Sequence, residues 1–266
     1  MTTVLKLGGS VVTRKDAVET VDTERLARAA AAVGAVHGRE APDDAADAVP
    51  APAELVVVHG GGSFGHPNAE RHGVTTSAGS HDATAVREIH GAMRELNRAV
   101  VGALADAGVP AVPVAPLSTG FRVGGAFHQP ADAVAALLAE GFVPVLHGDV
   151  VATAGEGVTV VSGDELVTEL ATGLDADRVG LCSDVPGVLD TEGEVVDRVT
   201  AIDEVADALG GSDATDVTGG MAAKVRTLLD LDAPASVFDL DGLDAFLTGE
   251  SPGTLVAGGP SGDEGV

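Results

Sequence analysis

The chain has 266 residues, 45% of them apolar, a formal net charge of −26 and a single cysteine, Cys182. That length suffices for a core in one or two domains, and one thiol rules out an intramolecular disulfide framework and suits a reducing cytosol. The strong negative field argues against nucleic acid or anionic membrane as the main partner.

Charge of this size also accompanies disorder, but periodic apolar segments run nearly end to end, so adaptation to high salt is the better account. With six Phe and no Trp or Tyr, the core must be built from Ala, Val and Leu. No apolar run approaches transmembrane length, and "MTTVLKLGGS" is too short a hydrophobic stretch for a signal peptide. A soluble cytoplasmic protein is the expectation.

In chain order, Val4 to Leu7 reads as a buried strand ending in a glycine turn. Asp22 to Gly38 is Ala-rich behind a cap-type Asp and predicts a helix. Residues 40–53, acidic and rich in proline, predict a mobile surface loop. "ELVVVHGGG" is a second strand and glycine turn, and a long helical pattern follows from about Ser80 to Ala107. "AVPVAP" is a third strand, and "FRVGGAFHQ" alternates around Gly124-Gly125 as a hairpin.

Ala131 to Glu140 predicts a helix and "FVPVLHGDVV" a strand. "VTVVSGDELVTELATGL" passes from strand to helix, with Ser162 and Glu165 spaced as a capping box. "ADRVGLCSDVPGVLD" is a strand and loop, and "TGGMAAKVRTLLDL" opens a helix with glycines. "ASVFDL", a helix near Leu243 to Leu247 and "GTLVAG" finish the fold, with residues 261–266 as a flexible tail. Strands alternating with helices imply a mostly parallel sheet covered on both faces, with ligands beyond the carboxyl ends of its strands.

Four glycine-rich turns stand at strand ends or helix starts: Gly8-Gly9, Gly60 to Gly62, Ser162-Gly163 and Gly219-Gly220. Such turns aim backbone N–H groups at an anion. The cations add to this. Of 15 basic residues only Lys6, Lys15 and Lys224 are Lys, although Lys is ordinarily among the commonest residues. Each survivor is a candidate for work that Arg cannot do. Together these features predict a site for several phosphates. No P-loop motif is present, and "GGGSFG" matches a dinucleotide fingerprint only loosely, with no acidic ribose partner. The histidines show no metal-ligand spacing, so no protein-held metal is expected. His59, at a strand end, reads as structural, and Cys182 as a small buried apolar residue.

The series "KLGGSVVT", "VVVHGGGSFGH", "GFVPVLHGDVV", "VSGDE", "CSDVPGV" and "DVTGGMAAK" resembles the amino acid kinase superfamily in order and over nearly the whole chain. The resemblance implies an α/β fold, a three-layer αβα sandwich with a mostly parallel central sheet. Within the superfamily, "HGGGSFGH" ending in His66 is similar to the isopentenyl phosphate kinases, and the acidic, Lys-poor composition to a haloarchaeal member. Fosfomycin kinases share a histidine there and remain a competitor, as do carboxylate and carbamate kinases and a non-catalytic nucleotide-binding module.

By that resemblance, Lys6 would contact the transferred phosphoryl group, Lys15 would stabilise transition-state charge, and Lys224 would hold ATP phosphates. Gly8, Gly9, Ser10, Gly62, Asp184 and Gly219 would complete the nucleotide site. Gly61, His66, Gly148 and Gly163 would take the acceptor, and Asp164 would anchor lysine ammonium groups. ATP and Mg²⁺ are implied as cofactors, and a homodimer as the assembly. Residues 1–155 would form the acceptor lobe and 156–260 the nucleotide lobe of one continuous domain. An apolar tail pocket is expected from Ile89, Met93, Val150 and Val160.

Overall fold

The computed structural model describes residues 1–37, 54–209 and 220–257. The expected loop at 40–53, Gly219 and the expected tail at 261–266 lie outside the described residues.

In chain order, β1 (Thr2–Leu7) leads into the single turn α1 (Gly9–Val12) and then α2 (Thr23–His37). β2 (Glu54–His59) is followed by α3 (Gly62–Arg71) and α4 (Ala83–Asp106). Next come β3 (Ala111–Pro113), α5 (Pro116–Thr119), the strands β4 (Phe121–Val123) and β5 (Ala126–His128), and α6 (Asp132–Ala139). β6 (Val143–His147), β7 (Asp149–Thr153) and β8 (Gly157–Val161) precede α7 (Gly163–Gly173), β9 (Arg178–Ser183) and β10 (Arg198–Val199). The described chain closes with α8 (Ala206–Leu209), α9 (Met221–Leu229), β11 (Ala235–Asp239), α10 (Leu243–Leu247) and β12 (Thr254–Val256).

Eight strands form the main sheet in the order β10-β12-β11-β9-β1-β2-β6-β3, and every adjacent pair is parallel except β11 with β12. Strand period places alternate residues on opposite faces. Leu5, Leu7, Leu55 and Val57 pack against α2, α4 and α10 on one side. Val4, Val56 and Val58 pack against α6, α7 and α9 on the other. Three layers result, as expected. The same alternation puts Lys6 on the Val4 side, toward α7. A second, four-stranded sheet, β5-β4-β7-β8, stands beside the first.

Local signals explain most boundaries. Asp82 caps α4, accepting from Thr84 N at 2.8 Å. Both bonds of the Ser162/Glu165 capping box are present at α7. The β4–β5 hairpin turns on Gly124 and Gly125, with φ of 59° and 85°. Such a two-residue turn needs φ above zero at both positions.

Two sequence expectations need correction. "FVPVLHGDVV" is not one strand: β6 belongs to the main sheet and β7 to the small one, and the chain changes sheets at Gly148, whose N–H donates to His59 O at 3.0 Å. The glycines from Gly60 onward are not only a turn, because helix begins at Gly62 and runs through Pro67. Proline has no N–H to offer the carbonyl four residues back. That carbonyl, Ser63 O, instead accepts from Glu19 N at 3.0 Å, so the interruption leaves no buried oxygen unmet.

Among the described residues, no helix is long and apolar enough to cross a membrane.

Candidate active site

A cleft of about 600 Å³ opens beyond the carboxyl ends of β1, β2 and β9. The lysines, glycines, Ser10, His66, Asp164 and Asp184 expected from the sequence all line it except Gly219, which is not described. The first turns of α1, α3, α7 and α9 reach its wall through Gly9 and Ser10, Gly62 and Ser63, Gly163 and Asp164, and Met221 and Lys224. Backbone N–H groups at helix starts lack partners within the helix and carry partial positive charge, so this wall suits a polyanion.

The glycines are there because two backbone turns touch. A Cβ on Gly9 would lie 2.5 Å from Gly62 N, and one on Gly60 would lie 2.6 Å from Gly9 N. At Gly62, where φ is +47°, a Cβ would collide with the Thr13 hydroxyl. That hydroxyl is itself fixed, donating to Gly9 O at 2.7 Å and accepting from Ser63 N at 3.0 Å. Thr13 thus stitches the β1 turn to the β2 turn, a role that only this three-way contact reveals. Three of the turn glycines have a committed N–H: Gly8 donates to Cys182 O, Gly60 to Leu7 O and Gly148 to His59 O, so they contribute close approach and no free donor.

Lys6, Lys15 and Lys224 all line this one cleft. Lys6 leaves the buried end of β1, and its Nζ donates to Asp164 Oδ1 at 2.6 Å, from the first turn of α7. Lys15 lies on the loop after α1 and is paired with Asp184, whose other oxygen accepts from Ser10 Oγ at 3.1 Å. Burial alone would raise the Asp184 carboxyl. The Lys15 hydrogen bond and charge, helped by Ser10, outweigh it and hold the group below its ordinary value. Lys224 projects from α9, half-buried. Each cation comes from a different element, and Lys6 and Lys15 are each oriented by a carboxylate.

His66 stands exposed at the mouth, on α3. Next to it Ile89, Met93 and Val160 line an apolar wall. Val150 is fully buried behind that wall, packed with Val74 and Ile89; it supports the pocket rather than facing it.

Sequence reasoning did not foresee a group of buried imidazoles behind the cleft. His59 and His147 stack with ring centroids 5.5 Å apart. His59 is fully buried, with Nδ1 3.1 Å from Gly60 O and Nε2 3.1 Å from Asn97 Oδ1. A neutral ring can donate at one nitrogen only; exchanging the Asn97 amide oxygen and nitrogen satisfies both contacts. Burial and the nearby His147 push His59 down to about 3. Burial also lowers His147. His90 Nδ1 meets Asp149 Oδ2 at 2.8 Å and ties α4 to the start of β7. No local spacing announces this group, since its members come from α4, β2, β6 and β7. Cys182 is buried as expected, and desolvation, with Asp239 nearby, pushes its thiol up to about 12.

A mostly parallel sheet with glycine turns, helix starts and lysines gathered beyond its carboxyl edge defines a phosphate-binding α/β protein. The chain belongs to the amino acid kinase family, which residues 1–231 match. It is 59% identical to the isopentenyl phosphate kinase of Haloferax volcanii over 96% of this chain and 98% of that protein. It is 34% identical to the isopentenyl phosphate kinase of Methanothermobacter thermautotrophicus over 85% of each chain. A crystal structure of an isopentenyl phosphate kinase superposes with a TM-score of 0.74 at 28% identity, covering 96% of this chain and all of the other. Membership of a kinase family implies ATP as the phosphoryl donor.

Proposed function

We propose that this protein transfers the γ-phosphoryl group of ATP to isopentenyl phosphate, giving isopentenyl diphosphate and ADP. The single observation that carries this reading is the gathering of all three lysines of the chain on one cleft that also holds His66 and an apolar wall, in a chain 59% identical to a protein of that name.

In this reading the acceptor phosphate sits at the start of α3, where Gly61 lets it come close and His66 donates a hydrogen bond to it. Its short branched tail lies against Ile89, Met93 and Val160. Gly148 and Gly163 shape the floor. The β- and γ-phosphates of ATP rest on Gly8, Gly9, Ser10 and Gly62, with Lys224 on the α9 side and Asp184 beside the nucleotide; Gly219, assigned to the same site by the resemblance, lies outside the described residues. An acceptor phosphate oxygen forms the new P–O bond. The bond between the γ-phosphorus and the β,γ-bridging oxygen breaks, and its electrons leave with ADP. The nucleophile is already an anion, so no side chain needs to remove a proton.

What the protein supplies is position and positive charge where charge spreads in the transition state. Lys6, held by Asp164, contacts the transferred group, and Lys15 neutralises it as it moves. An ammonium suits this task because it is a compact point charge, whereas guanidinium is a planar fork. The ammonium and N–H groups facing the cleft suit phosphate oxygens, and two of the carboxylates that line it, Asp164 and Asp184, are paired with Lys6 and Lys15. Mg²⁺ fits this set when carried by ATP oxygens and water, where it would neutralise phosphate charge.

Residues 1–155 then act as the acceptor lobe and 156–260 as the nucleotide lobe. A cytoplasmic setting and a homodimer complete the reading, the dimer by family resemblance.

The test is an acceptor panel with ATP and Mg²⁺: isopentenyl phosphate, fosfomycin, acetylglutamate and carbamate. ADP release is expected with isopentenyl phosphate at the highest kcat/KM. Turnover of another acceptor alone would overturn the reading.

A further inference from the structure

The loop that carries Lys15 is fastened to the helix that carries His66 at two residues of that helix, Ser63 and Asn68, and Glu19 reaches both. The loop itself is closed at its base, where Arg14 N donates to Thr20 O at 2.9 Å and Thr13 bridges Val21. Its far side lies on α3. Glu19 N donates to Ser63 O at 3.0 Å, the carbonyl that Pro67 cannot serve. Thr20 N donates to Ser63 Oγ at 3.3 Å. The Glu19 carboxylate accepts from Asn68 Nδ2 at 2.7 Å. Asn68 is 2% exposed, and its amide is anchored on both sides, donating to Phe64 O at 2.8 Å and accepting from Arg71 Nη1 at 3.0 Å.

Glu19 makes its two contacts from a left-handed backbone, φ 49°. Such a conformation is uncommon for a residue with a side chain and persists where its surroundings hold it. Here it turns both the N–H and the carboxylate of one residue toward α3. The loop is otherwise open to solvent: Arg14, Lys15, Asp16 and Val18 are all exposed.

We propose that Glu19 and Asn68 are positioning residues for phosphoryl transfer, holding the Lys15 loop at a fixed place against the His66 helix. Lys15 and His66 line the same cleft from these two elements. The clasp therefore adds a side-chain tie to the backbone bonds at Ser63 in fixing the separation of the transition-state cation and the acceptor clamp. This inference rests on the roles given to Lys15 and His66 under the proposed function. A displacement on the order of 1 Å at such a group costs about a hundredfold in rate.

The experiment is a double-mutant cycle. Asn68→Ala, Glu19→Ala and Glu19→Gln are each made in the wild-type and the Lys15→Ala backgrounds, and assayed with whichever acceptor the wild type turns over. A wild type inactive on isopentenyl phosphate would fail the proposed function alone and leave the cycle to be run on the active acceptor. Asn68→Ala and Glu19→Ala should each lower kcat by about tenfold or more while acceptor KM changes less than about threefold. In the Lys15→Ala background the same changes should alter kcat by less than about twofold, because their effect passes through Lys15. Glu19→Gln keeps an amide oxygen for Asn68 and should retain most of the activity.

Hydrogen exchange gives a readout without turnover: both alanine variants should speed exchange across residues 14–20. Glu19 is exposed, so Glu19→Ala keeps the test open should Asn68→Ala fold poorly. Wild-type kcat in Glu19→Ala, unchanged exchange at 14–20, or an equal loss with and without Lys15 would each overturn the proposal.

Discussion

Lys6 and Asp164 meet at 2.6 Å, one from the end of the central strand and the other from the first turn of α7. The carboxylate sits where the helix start favours negative charge, and it aims an ammonium whose stem is packed among core residues. Asp164→Ala should therefore disturb both catalysis and folding. A kcat loss of about a hundredfold is expected, in the range seen on removing one transition-state donor. The stability loss should be roughly 1–3 kcal/mol, below that of a fully buried pair. Steady-state kinetics and urea unfolding of the same variant check both numbers.

Lys15 is 69% exposed along its side chain, so removing it should leave the fold intact. Lys15→Ala is expected to lower kcat about a hundredfold or more with an unchanged melting curve. Lys15→Arg should not restore the rate, because a planar fork cannot follow a moving oxygen as an ammonium does. Equal kcat in Lys15→Arg and wild type would count against a role for ammonium geometry.

The contact between the Gly9 and Gly62 turns leaves no room for a methyl group. Gly9→Ala should cost about 1–3 kcal/mol, as overpacking does, and should weaken ATP binding because the two turns are forced apart. Calorimetric titration with ADP, alongside thermal melting, separates the two effects. Gly91 makes a suitable control, since a Cβ there meets nothing within 4 Å.

The buried imidazoles give stability a pH dependence of definite sign. His59 is lowered from 6.5 to about 3 in the folded chain. Between those values the unfolded chain holds a proton that the folded one lacks, so acid favours unfolding. The contribution is complete above about pH 6.5 and is lost as pH falls toward 3, at about 1.4 kcal/mol per pH unit. His147 acts in the same direction. Urea unfolding at fixed salt should show stability falling from pH 7 to pH 5, and His59→Gln should flatten that fall. An unchanged slope in the variant would remove His59 as its source.

A net charge of −26 sets the solvent requirement. Screening shortens from about 10 Å at 0.1 M salt to about 3 Å at 1 M, and only the latter quiets repulsion among neighbouring surface carboxylates. Folding and turnover should rise together with KCl into the molar range. Circular dichroism and kcat measured across that range test this; full activity in dilute buffer would contradict it.

The sequence displayed what is local or under compositional pressure. Gly124-Gly125, the Ser162/Glu165 box and the short apolar runs of β1 and β2 each act within a few residues and were legible. The three lysines stood out because the chain has replaced Lys with Arg elsewhere. What stayed hidden depends on partners far apart in the chain. The glycines after β2 read as a turn, and the helix that starts at Gly62 and runs through Pro67 is explained only when Glu19 N is seen serving Ser63 O. The run through Gly148 reads as one strand because both halves are apolar, and only the bond from Gly148 N to His59 O shows the change of sheet. The imidazole group spans four elements and has no spacing to read.

The most direct measurement of the central claim is a crystal structure of the protein with isopentenyl phosphate and a non-hydrolysable ATP analogue. The account predicts the acceptor phosphate within hydrogen-bond distance of His66, and Lys6, Lys15 and Lys224 all directed at the two facing phosphates. A complex with His66 turned to solvent, or with Lys15 remote from the γ-phosphate, would contradict it.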